Sequence, residues 1–331
     1  MPEPADAKAP LNKLGARSNA GLPKRVLLCI VLSRNENGII ALNDTFENRL
    51  RIFSLSKALT LLADLVNVPK AVATLIRYRD AIRILTWRDF RARYRGSIFG
   101  ILWAVAQPLL MMLAYTLVFS YFLKVRFGSS DSPFIFAVYL LCGLVPWNAF
   151  SEGINASCTL IRTSPNLVKK VVFPVEVLPV NLTLVMMIQQ LIGLALLLIL
   201  VLAVGGGLTL WVLFLPFFLF LQFMLQTGLS WLLASFSVFI PDFRQATSLL
   251  TLLLMFITPI FYPETVIPER FRFLVTLNPM AQIIGMYRRV LMEGLPPTLE
   301  QIFWASGISL LFWMTGFVWF SRTKHAFPDY L

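Results

Sequence analysis

Charged and apolar positions are segregated into long blocks, and the sharpest boundary lies between Arg95 and Ile98. Trp87-Arg-Asp-Phe-Arg-Ala-Arg-Tyr-Arg95 holds five charged residues in nine, four of them Arg, whereas nothing from Ile98 to Leu123 is charged. Such an apolar run makes a helix of roughly 39 Å, enough to cross a hydrocarbon core of about 30 Å with some tilt. The same pattern recurs and predicts six spans: Ile98–Leu123, Pro133 to about Cys158, Leu178–Val204, Leu210–Phe239, Ala246–Tyr262 and Leu299–Phe320. Arg88, Arg91, Arg93 and Arg95 abut the first span, and flanks of this kind stay on the cytoplasmic side. Six spans then leave both termini cytoplasmic, together with the basic loop carrying Arg162, Lys169 and Lys170.

Upstream of the boundary, residues 67–97 predict an amphipathic helix lying in the membrane interface. Leu75, Tyr78, Ile82 and Leu85 form one apolar stripe and Trp87, Phe90 and Tyr94 a second, rotated one, with arginines snorkelling between them. Residues 1–66, with scattered Pro, Gly and charge, read as a disordered extension, or as the product of a start assigned too far upstream. Lys24-Arg25 before Val26–Leu32 imitates a signal peptide, but the apolar run is short and no small-residue cleavage pattern follows.

Pro263–Pro297 resists this scheme. It falls on the outer side yet contains Arg270, Arg272, Arg288 and Arg289, with apolar stretches Phe273–Leu277 and Met280–Met286 too short to span. Asn278-Pro279 splits it into two half-helices that could dip into the membrane and return, which is tolerated only where backbone is buried in protein or lines a cavity. A plain surface loop is the competing expectation.

Composition sharpens the picture. With 57% hydrophobic and 14% charged residues and a mean hydropathy of +0.73, the chain is an all-α polytopic membrane protein rather than a soluble domain. The formal charge of +12 does not point to nucleic acid, because residues 1–95 carry 17 Lys/Arg against 8 Asp/Glu while the rest is nearly balanced. A basic excess beside a span serves anionic lipid headgroups.

Catalytic chemistry finds no foothold. Cys29, Cys142 and Cys158 follow no metal or disulfide spacing, and His325 stands far from any carboxylate cluster. No phosphate-cradling Gly-x-x-x-x-Gly-Lys-Ser/Thr occurs, so the chain is expected to bind no cofactor and to hydrolyse no ATP by itself. Glu152 is the only acid well inside a span, without an evident basic partner there, and reads as structural or as a thin proton relay. Gln107, Asn148, Asn155, Asn181, Gln189, Gln190, Gln222 and Gln226 should face helix partners or a cavity. Aromatic residues beside them, Trp103, Tyr115, Phe119, Phe256 and Tyr262, would suit a sliding surface for sugar faces.

Several stretches resemble the permease subunits of ABC-2 type exporters of bacterial polysaccharide, of the O-antigen, capsule and teichoic-acid types. They are Tyr78-Arg-Asp80, Arg88 to Ser97, Gly100-Ile-Leu-Trp103 with Gln107-Pro108, Asn166 to Pro174, Glu176-Val-Leu-Pro179, Pro241-Asp-Phe-Arg244, Thr258 to Tyr262, Asn278-Pro279 and Tyr287-Arg288. Pro241 stands where the family pattern often has Arg. The resemblance covers residues 70–331 and implies a homodimer around a conduit in the bacterial inner membrane, driven by two copies of a separate cytoplasmic ATPase that holds ATP and Mg. It further implies ATPase coupling through Asn166, Lys169, Lys170, Phe173 and Glu176, and an outer gate at Asn278, Pro279, Tyr287 and Arg288; the split at Asn278-Pro279 would itself set Tyr287, Arg288 and Arg289 near a cavity mouth. A drug or lipid exporter of the same superfamily is the nearest alternative. An ion-coupled secondary transporter should show an internal repeat, and an enzyme acting on lipid-linked sugar a reactive group set; neither is visible.

Overall fold

Where charge is absent the chain is helical, and Gly205, Pro241 and Pro259 follow closely on the ends of three of its runs. The computed structural model describes residues 68–122, 133–169, 174–205 and 207–331. The extension 1–66, Cys29, the signal-like stretch, the outer end of the first span from Leu123, Lys170 and Phe173 lie outside the described residues.

The amphipathic region forms two helices, α1 (Val68–Arg77) and α2 (Arg79–Ala92), broken at Tyr78. The single interface helix expected over 67–97 is two helices, separated where Tyr78 adopts φ −100° and ψ 17°. α2 buries Ile82, Thr86 and Phe90, spaced by four, against α6 (Val177–Ala203). Thr86 Oγ1 donates to Asn181 Oδ1 at 2.8 Å, and Asn181 Nδ2 donates to Asp89 Oδ2 at 2.6 Å, so polar bonds peg the amphipathic helix into the bundle.

The first span is a composite: a 3₁₀ turn at Gly100–Leu102, α3 (Trp103–Tyr115) and a π turn at Thr116–Phe122. α4 (Pro133–Leu160) and α6 follow, joined through the short α5 (Pro165–Val168). A 3₁₀ turn at Leu210–Phe214 leads into α7 (Leu215–Phe239). Next come α8 (Phe243–Ile257), α9 (Arg272–Thr276), α10 (Pro279–Arg288) and α11 (Leu299–Thr323), with a 3₁₀ tail over Lys324–Tyr330.

α4, α6, α7, α10 and α11 make the packed body. α7 and α11 approach at Gly228 and Gly316, where a methyl group on either glycine would strike the backbone of the facing helix. Membrane helices associate through such close packing, because lipid is as apolar as leucine and supplies no hydrophobic drive. Gln190 Nε2 donates to Gln222 Oε1 at 2.8 Å, Gln222 Nε2 to the Pro146 carbonyl at 3.0 Å, and Gln226 Nε2 to the Ala149 carbonyl at 3.1 Å. These amides crosslink α6, α7 and the proline-containing middle of α4.

Among the described residues, five helices are long and apolar enough to cross a membrane, Gly100–Phe119, Phe134–Leu160, Val177–Ala203, Leu210–Phe239 and Leu299–Tyr330. The expected fifth span, Ala246–Tyr262, departs from this. α8 has 15 residues, about 22 Å at the helical rise. It stops because Thr258 precedes Pro259, whose ring excludes the helical conformation; Thr258 takes ψ 127°.

Candidate functional site

Three polar clusters tie together residues remote in sequence. The first lies at the Pro133 end of α4. Where α8 breaks, the carbonyls of Pro259 and Ile260 turn inward and Arg288 receives both, Nη1 donating at 2.5 Å and Nη2 at 2.9 Å. The guanidinium also lies 3.6 Å from the centroid of the Tyr139 ring, a cation–π contact. Tyr139 Oη in turn donates to the Tyr262 carbonyl at 2.7 Å. Asn278 caps α10 by accepting from the Met280 and Ala281 amides, and its Nδ2 donates to Thr258 Oγ1 at 2.8 Å. Pro279 sits at the first turn of α10, where its missing N–H costs nothing.

Residues 258–262 are thereby held from α4 and from both ends of α10. The expectation that Tyr287 and Arg288 stand at a cavity mouth is corrected: Tyr287 is 1% exposed and Arg288 7%. A buried guanidinium must be bonded, and here the carbonyls freed by Pro259 bond it. Beside it, burial raises the Glu264 carboxyl above its ordinary range, opposed by the Arg288 charge.

Three of the five candidate path aromatics share one row of rings, and a fourth, Tyr262, is tied to it by a hydrogen bond. Tyr115, Phe119, Phe261 and Phe256 follow one another at centroid distances of 6.2–6.4 Å, Phe136 joins at 5.7 Å from Phe119, and Tyr262 Oη donates to the Phe256 carbonyl at 2.6 Å. Trp103 is not among them; its ring meets Phe99.

At the opposite end, Glu176 is buried and its carboxylate is ion-paired with Lys324 of the tail. Its carbonyl accepts from Trp231 Nε1 at 3.0 Å, and Arg162 Nη2 donates to the Val238 carbonyl at 3.1 Å. Glu176 is therefore an internal clasp joining the α5–α6 junction to α7 and the C-terminal tail. Asn166 and Lys169 are exposed. No sequence signal pairs Lys324 with a partner 148 residues away.

The arginine cluster divides. Arg88 pairs with Asp89 at 2.8 Å, Arg91 lies 4.8 Å from the Trp87 ring centroid, and Arg95 is exposed. Arg93 reaches into the bundle and donates to Glu152 Oε1 at 2.6 Å and to Gln189 Oε1 at 2.7 Å. Glu152 thus has the basic partner that the sequence did not reveal. Next to this pair, burial raises the Tyr94 hydroxyl, with the Arg93 charge opposing it and the Glu152 charge adding to it. Cys142 and Cys158 are buried free thiols, and no group of three His, Cys, Asp or Glu gathers among the described residues.

A helical body with five membrane-length apolar elements, joined by buried amides and ion pairs, defines a multi-pass membrane protein. The chain belongs to the ABC-2 type transporter family, whose model matches residues 80–292. It is 31% identical over 258 residues to the O-antigen export system permease protein RfbA of Myxococcus xanthus, covering 77% of this chain and 97% of that one. It is 28% identical to a protein of the same name from Klebsiella pneumoniae, covering 76% and 95%. It is 24% identical to the polysialic acid transport protein KpsM of Escherichia coli, covering 64% and 81%.

Proposed function

We propose that this chain is the permease subunit of an ABC exporter that moves a polysaccharide, carried on a lipid as O-antigen is, across the bacterial cytoplasmic membrane. The observation that carries the reading is the near full-length similarity to two O-antigen export permeases. The chain is not itself the ATPase: two copies of a separate cytoplasmic ATPase bind ATP and Mg and power two copies of this permease. Residues 1–66 are an extension, 67–97 lie in the cytoplasmic interface, and 98–331 form the transmembrane domain with both termini cytoplasmic. α8 serves as a sixth, short span, and α9 with α10 as a re-entrant pair forming the outer gate.

In this reading Arg88, Arg91 and Arg95 anchor the interface helix at anionic lipid and set topology. Asn166 and Lys169 are exposed, and with Lys170 and Phe173 of the same loop sequence they form the segment on which the ATPase docks, while Glu176 is buried at its end. Tyr115, Phe119, Phe256 and Tyr262 line the glycan path. Asn278, Pro279, Tyr287 and Arg288 set the gate's shape rather than touching sugar.

Deletion of the gene in its own bacterium tests this. Surface polysaccharide should disappear while lipid-linked glycan accumulates inside, and the wild-type gene in trans should restore it. Unchanged surface glycan, with loss of tolerance to a drug or of a membrane lipid instead, would favour the drug or lipid exporter.

A further inference from the structure

Between the pair α1, α2 and the pair α6, α7 lies a groove of about 1250 Å³, larger than the roughly 300 to 1,000 Å³ of sites that enclose drug-sized ligands. Its floor is one face of α6, on which Val180, Leu184, Met187, Ile188 and Leu191 recur at helical spacing. Val72, Leu75 and Ile76 of α1 form part of the opposite wall. The rest is a row on α2, Arg79, Arg83 and Trp87, each four residues from the next. The apolar strip does not stop at the groove. Beyond Leu191 the same face of α6 continues through Ala195, Ile199 and Leu202, all exposed. From Leu191 to Leu202 it runs about 16 Å at the helical rise, close to half of a hydrocarbon core of about 30 Å, the share of one leaflet.

The groove has a charged end and an apolar end. Thr86 bonds Asn181 and Arg93 reaches Gln189, so α2 and α6 run alongside in the same direction. Arg79 and Arg83 therefore lie toward the Val177 end of α6, and the exposed strip leads away from them. Their charges are not balanced. Asp80 stands 4.0 Å from Arg79 with both side chains exposed, and Arg83 has no acid within ion-pair reach among the described residues. A free anion at these arginines would leave the floor uncovered, and an apolar helix on the floor would leave the arginines without a counter-charge. A lipid with an anionic headgroup brings both in one molecule, and basic pockets against membrane helices bind such headgroups.

We propose that this groove holds one anionic phospholipid per protomer, its phosphate at Arg79 and Arg83 and an acyl chain laid along α6 from Leu184 past Leu191. The site goes beyond the transport reading: it needs only that the chain sits in a membrane with α1 and α2 at its surface, whatever is exported.

Native mass spectrometry of the full-length permease, extracted in mild detergent and titrated with phosphatidylglycerol, tests it. Phosphatidylcholine is the zwitterionic comparison and farnesyl diphosphate the isoprenoid one. One phosphatidylglycerol per protomer should stay bound under conditions that strip phosphatidylcholine. Arg83→Gln should weaken its retention about fivefold, the effect of one charge near an anionic headgroup. Arg79→Gln, which also leaves Asp80 unopposed, should weaken it at least as much. Leu191→Trp should abolish retention by filling the groove from a position that is 48% exposed, so that the ring enters no core. Arg244→Gln, at an exposed cation outside the groove, should leave retention unchanged. Equal retention of the two phospholipids would mean lipid held by the apolar surface at large and would overturn the proposal, as would retention that Arg83→Gln and Leu191→Trp leave intact. Displacement of phosphatidylglycerol by tighter-binding farnesyl diphosphate would give the groove to an isoprenoid carrier instead. Absence of any retained lipid would mean that a second copy or another segment of the chain closes the groove, and would overturn the proposal too.

Discussion

α3 and α4 are both long and apolar, yet they sit in the protein in opposite ways. Within their most apolar stretches, 72% of residues are buried in α4 and only 11% in the first span built on α3. Apolarity alone does not report burial in a membrane protein, because lipid solvates leucine as well as a core does. What separates the two is small and polar side chains. α4 brings Cys142, Gly143, Gly153 and Ser157 to its buried faces, while α3 presents Leu109, Leu110 and Leu113 outward. α8 shows the same inversion within one helix: Thr247 and Thr251 are buried and bond to carbonyls one turn back, while Leu249, Leu250, Leu252 and Leu253 are exposed. The body formed by α4, α6, α7, α10 and α11 holds the fold, and α3 and α8 offer a face to whatever surrounds it, which under the proposed function is lipid and a second copy.

The most damaging change should fall at the tightest point of the body. Gly316→Leu drives a side chain into the Gly228 carbonyl; overpacking ordinarily costs about 1–3 kcal/mol, and a collision with backbone leaves no rotamer to relieve it. Little folded protein should survive detergent extraction, and wild-type yield would show that α7 and α11 do not meet there. Next comes Arg288→Ala, which strands the Pro259 and Ile260 carbonyls at about 1–3 kcal/mol each. A clear fall in the thermal unfolding midpoint is expected, with Arg288→Lys recovering only part of it.

Lys324→Met should rank third. Leaving a buried carboxylate unpaired costs about 3–5 kcal/mol, but the Lys324 side chain keeps 29% of its surface in solvent, so the effect is discounted to about 1–3 kcal/mol. Lys324→Glu combined with Glu176→Lys should recover most of the lost stability in the thermal unfolding midpoint, an outcome that a merely exposed tail would not give. The smallest effect belongs to the outward face. Leu250→Ala should shift monomer stability by no more than about 0.5 kcal/mol. A larger loss in the isolated protomer would erase the contrast between α8 and the body.

Much of this was legible as pattern. Uncharged runs give the helices, Asn278-Pro279 announces the break between half-helices, and the intramembrane amides read as helix partners or cavity walls. Their partners were not legible, because Arg93 with Glu152, Glu176 with Lys324, and Arg288 with the Pro259 carbonyl are tertiary pairings that no local spacing encodes. Arg288 misled for a physical reason: an arginine beside a tyrosine in an outer segment reads as exposed, and only the break at Thr258-Pro259 creates the carbonyls that draw it inside. Trp103 was grouped with the path aromatics by composition, although it stands twelve residues, more than three helical turns, from Tyr115.

The most direct test reconstitutes the purified permease with an ABC ATPase of its own bacterium in vesicles loaded with that bacterium's lipid-linked glycan. Adding ATP and Mg should make the glycan accessible to a lectin on the opposite face, and omission of either protein or replacement of ATP by a non-hydrolysable analogue should abolish it. Glycan that stays in place while the ATPase turns over, with a drug or phospholipid moving instead, would contradict the assignment.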